Sequence, residues 1–343
     1  MDIIVAILMF GLIVLVHEFG HFFFAKKSGI YVEEFALGMG PKIAGKKIGE
    51  TLFSIRLLPF GGFCKMLGEN EVSDDERSFS VKSVWAKIMV VFGGPLFNFI
   101  LAFFFAIIYL SISGAVQTSV ISKVSENSPA AEAGILPGDK ILKINGRSVI
   151  AYPEILIYIN ENKGEAIELE YLRDGEKASM VIKPMLSEDN RTYKIGVETE
   201  VQRFSNPIQL IKYSIIEIGF WIKITFYGLG QIFSGAIAAK EISGPVGIVS
   251  VVSTGYKESL KEGLLYLVRT MSFFIVLLSA NLGVMNLMPI PALDGGRLVF
   301  LFIEAIRKKP IDEEKEGTIH FVGYVVLMGL MVLILFNDIK KLF

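Results

Sequence analysis

The stretch His17-Glu18-Phe19-Gly20-His21 interrupts a long apolar run, residues 3–25, near the start of the chain. A helix turns by about 100° per residue, so His17 and His21 lie one turn apart on the same face. Two imidazoles at this spacing can bind one Zn²⁺, and Glu18 can take a proton from the water on the metal. Because ionisable groups are costly inside a membrane, three of them within five residues indicate a functional site.

The composition is that of a membrane protein. The chain has 343 residues, of which 52% are hydrophobic and 12% aromatic, which is typical of a polytopic membrane protein with a modest soluble part. The net charge of -1 argues against general nucleic-acid binding. The single cysteine, Cys64, excludes an internal disulfide and a thiolate zinc site. The first apolar stretch has neither a basic leader nor a small-residue cleavage site, which indicates a retained span.

The fold predicted from these patterns is a polytopic α-helical membrane protein with four transmembrane helices. A β-hairpin segment and an inserted α/β domain accompany them. The expected segments are a first span with HExxH at 1–28, a membrane-associated β segment at 29–68, a second span at 84–113, the inserted domain at 115–201, an amphipathic region at 204–262, a third span at 264–306 and a fourth at 319–338.

Basic residues near the span ends predict the orientation in the membrane. They place the connections after the first and third spans in the cytoplasm, and the inserted domain outside. These residues are Lys26, Lys27, Lys82, Lys87, Arg307, Lys308 and Lys309, weakly opposed by Lys340 and Lys341. Residues 207–239 are apolar but carry three charges, and a fifth span there would move Asp294 to the face opposite His17. We therefore expect an amphipathic helix or helical pair, lying outside against the membrane or the third span.

Residues 31–66 contain short β-like runs broken by glycine and proline, which predict a hairpin sheet. Two interpretations stay open: the hairpin dips towards the active site, or it lies in the cytoplasm with no role in substrate binding. In the first interpretation, residues 51–58 supply an edge to which an extended substrate adds as a strand.

The inserted domain has alternating strands and a predicted turn at Asp174-Gly175. Its stretch 128–146 reads Ser-Pro-Ala-Ala-Glu-Ala-Gly-Ile-Leu-Pro-Gly-Asp-Lys-Ile-Leu-Lys-Ile-Asn-Gly and resembles the PDZ family. The resemblance implies an α/β peptide-binding domain, which either captures a peptide tail or excludes bulky substrates.

A catalytic zinc site needs a third protein ligand. The remaining histidine, His320, opens the fourth span beside acidic residues and is read as interfacial. Asp294 is the better candidate because Pro289, Pro291 and two following glycines break the helix there. A carboxylate at such a break requires a cation, and the third span is long enough to bring it to the depth of the histidines.

Taken together, these motifs resemble the site-2 protease family of intramembrane zinc metalloproteases, most closely its regulator-of-sigma-E-protease branch, here with a single PDZ domain. The resemblance also rests on Gly61 to Glu69, on Gly94-Pro95-Leu96-Phe97-Asn98 and on the Asn286 to Gly296 motif, N-x-x-P-x-P-x-L-D-G-G. It implies that His17, His21 and Asp294 bind zinc and that Glu18 is catalytic. It also implies a role in substrate binding for Asn286, with which Pro289 and Pro291 are grouped. Asn98 is grouped with these substrate-binding residues, through contact with the active-site region, and the alternative is a polar bond between helices.

The expected activity is hydrolysis of peptide bonds within or near the spans of single-span membrane proteins, in a bacterial cytoplasmic membrane and near its inner face. Anti-sigma factors or remnant signal peptides are the substrates that the resemblance implies. The lipid bilayer and a peptide tail at the PDZ domain are further expected partners, and nucleic acid is not. Two alternatives stay open: an intramembrane metal transporter, and a non-catalytic PDZ scaffold.

Overall fold

The computed structural model describes residues 2–69, 73–187, 191–236, 243–309 and 311–341. The chain divides into two compact units: unit 1 comprises residues 1–109 and 221–343, and unit 2 comprises residues 110–220. Of the expected amphipathic region, residues 237–242 lie outside the described ranges.

The helices are α1 (Asp2–Lys27), α2 (Val84–Ser113), α3 (Pro129–Glu132), α4 (Tyr152–Glu161), α5 (Pro207–Phe233), α6 (Pro245–Glu262), α7 (Leu264–Leu287), α8 (Asp294–Arg307) and α9 (Glu313–Lys340). The strands are β1 (Val32–Ile48), β2 (Thr51–Met66), β3 (Ala115–Val124), β4 (Lys140–Ile144), β5 (Arg147–Ser148), β6 (Ile167–Arg173), β7 (Glu176–Ile182), β8 (Met185–Leu186), β9 (Tyr193–Lys194) and β10 (Val197–Arg203).

Four helices of the described chain are long and apolar enough to cross a membrane: α1, α2, α7 and α9 from Glu314. Their number is the number of candidate spans predicted from the sequence. Within the segment 264–306, α7 ends at Leu287 and α8 begins at Asp294, so the helix is interrupted at the prolines where the sequence predicts a break. The prolines between them prevent a continuous helix.

The buried residues of α1 follow one stripe of the helix. Ala6, Met9, Ile13, His17 and Gly20 are spaced by three or four residues, which is the helical repeat. The first half of this stripe packs against α6 and α7, in a cluster that includes Val252, Phe274 and Ile275. The end of α1 packs against the β1–β2 sheet, α2 and α8, in a cluster that includes Ala25, Phe35, Cys64, Val90 and Leu298. His17 and His21 therefore lie between two packed apolar clusters.

Helices α1 and α2 contact each other through their backbones. A Cβ atom added at Gly20 would lie 2.1 Å from the Gly93 carbonyl oxygen, and one added at Gly93 would lie 2.6 Å from the Gly20 oxygen. Small residues permit this kind of approach between membrane helices. Only glycine fits at either position, so the two helices are fixed at their crossing.

Strands β1 and β2 are long and bent, so their pairing gives four runs of chain in one sheet. Phe35 lies opposite Cys64 on one side and Phe53 on the other, and Phe53 in turn lies opposite Lys46. The runs follow the order 62–66, 32–37, 52–55 and 44–48. The expectation that residues 51–58 form an edge is therefore wrong, because 52–55 have partners on both sides. The outer runs are 62–66 and 44–48.

The amphipathic region contains the helices α5 and α6. The end of α5 contacts α7, where the Thr225 hydroxyl donates to the Asn281 side-chain oxygen and the rings of Trp221 and Phe273 lie 5.7 Å apart. Helix α6 begins against α9, since the Asp338 carboxylate accepts the N–H groups of Gly244 at 3.0 Å and Gly247 at 2.8 Å. A carboxylate at a helix N-terminus satisfies backbone donors that have no partner within the helix.

Unit 2 contains a sheet with the strand order β10-β3-β4-β6-β7, with β5 paired to β4. Its core consists of side chains from these strands and from α4, among them Ile121, Ile141, Ile155 and Leu169. The turn between β6 and β7 is the predicted one. Asp174 and Gly175 have φ of 51° and 86°, the left-handed conformation that a two-residue hairpin turn requires.

An ion pair with a buried carboxylate connects the end of β6 to the residue before β4. Arg173 donates from Nε to Asp139 Oδ1 and from Nη2 to Oδ2, both at 2.7 Å, and the Leu136 N–H also donates to this carboxylate. Burial acts to raise the pKa of the Asp139 carboxyl group, but these hydrogen bonds outweigh it, so the pKa is lowered. The charged form of Asp139 therefore stabilises the folded state.

We expect Asp139→Asn to lower the unfolding free energy of unit 2 by about 1.5–3 kcal/mol at pH 7, the usual contribution of hydrogen bonds to a charged group. The folded pKa lies below the unfolded value of about 3.9, so the wild-type advantage is complete above that pH and is lost as the pH falls through the folded pKa. Hydrogen exchange of the β4 and β6 amides in the full chain measures both effects.

The matched control is Glu170→Gln, which breaks the partly exposed pair with Lys143 in the same sheet. It should change the unfolding free energy by less than about 1 kcal/mol. Equal effects of the two substitutions on the unfolding free energy would contradict a stabilising role for charged Asp139. An Asp139→Asn effect that does not depend on pH would contradict it as well.

Candidate metal centre

Three side chains from α1 and α8 converge in unit 1. His17 Nε2 and His21 Nε2 lie 3.2 Å apart, and Asp294 Oδ2 lies 3.2 Å from the first and 3.5 Å from the second. The histidines come from the buried stripe of α1, and Asp294 is the first residue of α8. They are the residues in the described ranges that could together hold a metal ion.

The mutual distances fit a tetrahedral zinc site. Zinc bonds to nitrogen and oxygen are about 2.0–2.2 Å long, so two ligand atoms at tetrahedral angles lie roughly 3.3–3.6 Å apart. Asp294 Oδ2 is buried and accepts no hydrogen bond within the described chain, although two ring nitrogens face it. A buried carboxylate oxygen without a donor is costly, and a cation would satisfy it. The residues present therefore fit Zn²⁺, with three protein ligands and a fourth position left for water or substrate.

The ring of His21 is fixed by α2. Its Nδ1 lies 2.9 Å from the Val90 carbonyl oxygen, which can only accept, so Nδ1 carries the proton and Nε2 keeps its lone pair for the metal. One helical turn further along α2, Gly94 lies against both imidazoles. A Cβ atom there would lie 2.4 Å from His21 Nε2 and 2.7 Å from His17 Cε1.

His17 has polar partners at both ring nitrogens. The Asn98 side-chain nitrogen lies 3.1 Å from His17 Nδ1, and the Asn286 side-chain nitrogen lies 3.4 Å from Nε2. Asn98 is fully buried, and its backbone oxygen accepts a hydrogen bond from the Ser279 hydroxyl at 2.9 Å. Residues from α2 and α7 therefore surround this ligand.

The segment before Asp294 folds tightly onto α8. A Cβ atom at Gly295 would lie 2.2 Å from the Met288 oxygen, and one at Gly296 would lie 2.4 Å from the Ile290 oxygen. Ala292 has a φ of 74°, which is unfavourable for an L-residue, and its N–H donates to His320 Nδ1 at 2.9 Å. His320 thus contacts the loop that carries the ligand and is not a member of the ligand cluster.

A cavity of about 420 Å³ opens beside the three ligands. Its walls come from α1, β2, α2 and α8. They are formed by His17, Glu18, His21, Phe63, Cys64, Lys65, Met66, Glu69, Val90, Val91, Asp294 and Arg297. Besides the ligand Asp294, the cavity wall includes the carboxylates of Glu18 and Glu69. Arg297 donates to the Glu69 side chain at 2.6 Å and to its backbone oxygen at 2.9 Å, so the Glu69 carboxylate is paired with a cation.

The structure brings His17, Glu18, His21 and Asp294 to one site, and Asn98 and Asn286 contact His17. Pro289 and Pro291 lie in the segment that precedes Asp294, where Pro291 packs against Gly323 of α9. Three features of the site were not predicted from the sequence: the Val90 carbonyl opposite His21, the contact of Gly94 with both rings, and the Glu69–Arg297 pair. The spacing of Gly94 and Asn98, four residues apart in an apolar helix, is the signal that could have identified one face of α2.

The sequence of this chain is similar to a known protein family and to several named proteins. The model of the family described as Peptidase family M50 matches residues 5–330. A proposed zinc metalloprotease of Clostridium acetobutylicum is 41% identical over 340 residues, covering 98% of this chain and 97% of its own. The zinc metalloprotease RasP of Shouchella clausii is 34% identical over 424 positions, covering 98% of each chain. RasP of Geobacillus kaustophilus is 31% identical over 424 positions, covering 100% of this chain and 98% of its own.

A solved PDZ domain, that of the SdrC-like protein of Listeria innocua, is 27% identical. It covers 26% of this chain and 99% of its own, with a TM-score of 0.23.

We expect Gly94→Ala to weaken zinc binding roughly 10–100-fold, because a methyl group against both imidazoles costs about 1–3 kcal/mol of overpacking. Competition with a chromogenic chelator measures the affinity of the purified protein. Gly11→Ala is the matched control, since a Cβ at Gly11 of α1 meets nothing within 4 Å. Unchanged zinc affinity in Gly94→Ala would show that the rings are not held where the structure has them.

Proposed function

This chain belongs to peptidase family M50, and from that premise we propose that it is an intramembrane zinc endopeptidase acting within or near the spans of other membrane proteins. The single observation that carries the proposal is the convergence of His17, His21 and Asp294 beside a cavity that Glu18 also lines. A metal transporter has no need of a carboxylate beside the first ligand, and a scaffold has no need of the ligands.

His17, His21 and Asp294 hold the zinc, which when bound acts as a Lewis acid towards water and the scissile carbonyl. Glu18 is the general base. It takes a proton from the attacking water while the new C–O bond forms. It then gives this proton to the peptide nitrogen, so that the C–N bond breaks and the two fragments leave as a carboxylic acid and an amine. Glu69 lines the same cavity, but Arg297 holds its carboxylate, so it is poorly suited to proton transfer.

The substrate must enter as an extended segment. In an α-helix the carbonyl oxygen of each peptide bond accepts a hydrogen bond from the N–H four residues on, and the side chains surround the backbone. A span that entered the cavity of about 420 Å³ as a helix would therefore keep its peptide bonds shielded from the ligands and from Glu18. Unwinding frees backbone groups that need new partners in a site of low polarity.

The run 62–66 supplies such partners. It is an outer run of the β1–β2 sheet, with its register partners along 32–37, and Phe63, Cys64, Lys65 and Met66 line the cavity. An extended substrate placed alongside it would continue the sheet next to the zinc ligands, in the manner of strand addition. Asn286, whose amide already lies near His17, is positioned to donate to the substrate backbone.

The sheet itself is assigned to the membrane boundary. Large apolar side chains on its bent part are half exposed or more, which is unfavourable in water and suited to lipid. They are Met39, Ile43, Ile48, Ile55, Leu57 and Leu58. Strand backbone is tolerated at this depth where protein or a water-filled cavity surrounds it.

The proposed orientation puts the zinc site near the cytoplasmic face and unit 2 outside. It follows from the basic residues at the ends of the spans, such as Lys26 and Lys27 at the end of α1. The proposed substrates are single-span proteins, namely anti-sigma factors clipped beforehand or remnant signal peptides. In this proposal the PDZ domain binds a peptide tail or excludes bulky substrates, and the enzyme is a multi-pass protein of a bacterial cytoplasmic membrane.

We expect Glu18→Gln to retain zinc. The substitution should lower the rate of cleavage of a model membrane peptide by roughly 10²–10⁴-fold, the usual contribution of general acid–base catalysis. Glu69→Gln is the matched control from the same cavity and should keep most of the activity, because Arg297 already engages that carboxylate. Purified enzyme, scored by zinc content and by peptide cleavage, gives both readouts. Full proteolysis by Glu18→Gln would refute the role of Glu18.

A cysteine on the run 62–66 tests the substrate position, and position 65 suits it because the Lys65 side chain is exposed and lines the cavity, whereas Cys64 is buried. In Glu18→Gln enzyme that also carries Cys64→Ser and Lys65→Cys, an added oxidant such as copper phenanthroline should form disulfides between position 65 and single cysteines placed along an unwound substrate segment. Cross-linking should favour alternate substrate positions, because side chains alternate along a strand. Non-reducing gels of the purified mixture measure the yield at each position.

Cys64→Ser with Lys65 unchanged is the blank for this experiment. Adding Ala44→Cys to Cys64→Ser moves the probe to the other outer run, 44–48. Strong cross-linking from position 44 together with none from position 65 would place the substrate on the opposite edge and contradict the proposal.

A further inference from the structure

Asn98 of α2 is a fully buried amide that faces a zinc ligand from the side away from the metal. Its side-chain nitrogen lies 3.1 Å from His17 Nδ1. Its side-chain oxygen has no hydrogen-bond partner among the described residues. A buried polar atom without a partner is costly and calls for an explanation.

The two histidines differ in the group opposite Nδ1. An imidazole that binds a metal through Nε2 carries its proton on Nδ1, so the group opposite Nδ1 must accept a hydrogen bond. Val90 meets this requirement for His21 with a carbonyl oxygen at 2.9 Å. For His17 the group that the described residues place there is the amide of Asn98, which presents its donor end.

Rotating the Asn98 side-chain amide by 180° exchanges its oxygen and nitrogen. The rotation gives Asn98 Oδ1 a hydrogen-bond partner and gives His17 Nδ1 an acceptor. The oxygen and nitrogen of an asparagine side chain occupy nearly equivalent positions, and the hydrogen-bond network decides between them. After the rotation, Asn98 Oδ1 accepts the proton of His17 Nδ1 and is no longer without a partner. His17 Nε2 then has its lone pair directed at His21 Nε2 and Asp294 Oδ2, where the metal belongs.

We propose that Asn98 is a positioning residue for zinc: its side-chain oxygen fixes the tautomer and ring orientation of His17, as the Val90 carbonyl does for His21. This proposal rests on the proposed function, because it requires His17 to be a zinc ligand. It differs from the substrate-binding role expected from the sequence, since the amide is fully buried and touches the ligand instead of the cavity.

The surroundings of Asn98 favour this role over a simple bond between helices. The contact between α2 and α7 at this position is made by the Asn98 backbone oxygen and the Ser279 hydroxyl. The side chain is not needed for that contact and is directed at α1. Loss of a partner that orients a ligand in this way typically weakens metal binding 10–100-fold.

The test measures zinc affinity of the purified full chain by chelator competition in three variants. Asn98→Leu, similar in size but without an acceptor, should bind zinc roughly 10–100-fold more weakly. Asn98→Asp, which keeps an acceptor at the same place, should stay within about threefold of wild type. Ser279→Ala removes the neighbouring contact between α2 and α7 and should also stay within about threefold.

The outcomes separate a positioning role from a structural one. Wild-type affinity in Asn98→Leu would overturn the proposal, and so would equal loss in Asn98→Leu and Asn98→Asp. Loss in Ser279→Ala as large as in Asn98→Leu would assign the effect to helix packing and overturn it as well.

A spectroscopic readout tests the tautomer directly. The chain has three histidines, so ¹⁵N-histidine labelling gives a spectrum that can be assigned. Zinc-loaded wild type should show protonated Nδ1 atoms for His17 and His21, and Asn98→Leu should shift only the His17 signal. A His17 signal that is the same in both proteins would overturn the proposal. Failure of the proposed function would appear differently, as a wild-type protein that binds zinc in this way and cleaves no membrane peptide.

Discussion

The metal centre depends on one backbone contact, the crossing of α1 and α2 at Gly20 and Gly93. Packed helices usually lie about 8–10 Å apart, which leaves room for side chains between them. Here the two backbones touch, so the imidazoles of α1 extend directly over α2. That proximity lets a main-chain carbonyl of α2 reach His21 and a short amide side chain reach His17. A single methyl group at the crossing would separate the helices and remove both contacts.

The third ligand reaches the site by a different means. Asp294 is carried on a sharply folded segment in which Ala292 adopts a positive φ, a conformation that costs on the order of 1–3 kcal/mol. The surrounding chain holds it there: the Ala292 N–H donates to His320, and Gly323 lets α9 pack against Pro291. The ligand geometry thus depends on the fourth span, although none of its described residues belongs to the ligand cluster. Because Asp294 is also the first residue of α8, its charge lies at a helix N-terminus, where it is favourable.

Local patterns in the sequence were sufficient for part of this structure. Apolar length predicts the four candidate spans, the i, i+4 histidines predict a shared face of α1, and Asp174-Gly175 predicts its turn. The register of the β1–β2 sheet could not be predicted in this way. Residues 52–55 lie inside the sheet because they pair with two other runs, and no local sequence pattern identifies them as interior. Asn98 and His17 are 81 positions apart, so their contact follows only from the helix crossing. The strand register and the Asn98–His17 contact both depend on pairing between distant parts of the chain, which local residue spacing does not determine.

One face of α2 contacts both histidines where α1 and α2 cross. Val90, Gly94 and Asn98 are spaced by four residues and therefore follow one side of the helix. Val90 contacts His21 and Asn98 contacts His17, so the two helices run in opposite directions past each other, with Gly94 between the rings. Each imidazole is thereby held on the side away from the ligand cluster, and its other nitrogen is left directed at Asp294. A buried carboxylate and two neutral rings in this arrangement are satisfied by a divalent cation, so binding of the metal and close packing of α1 on α2 stabilise each other.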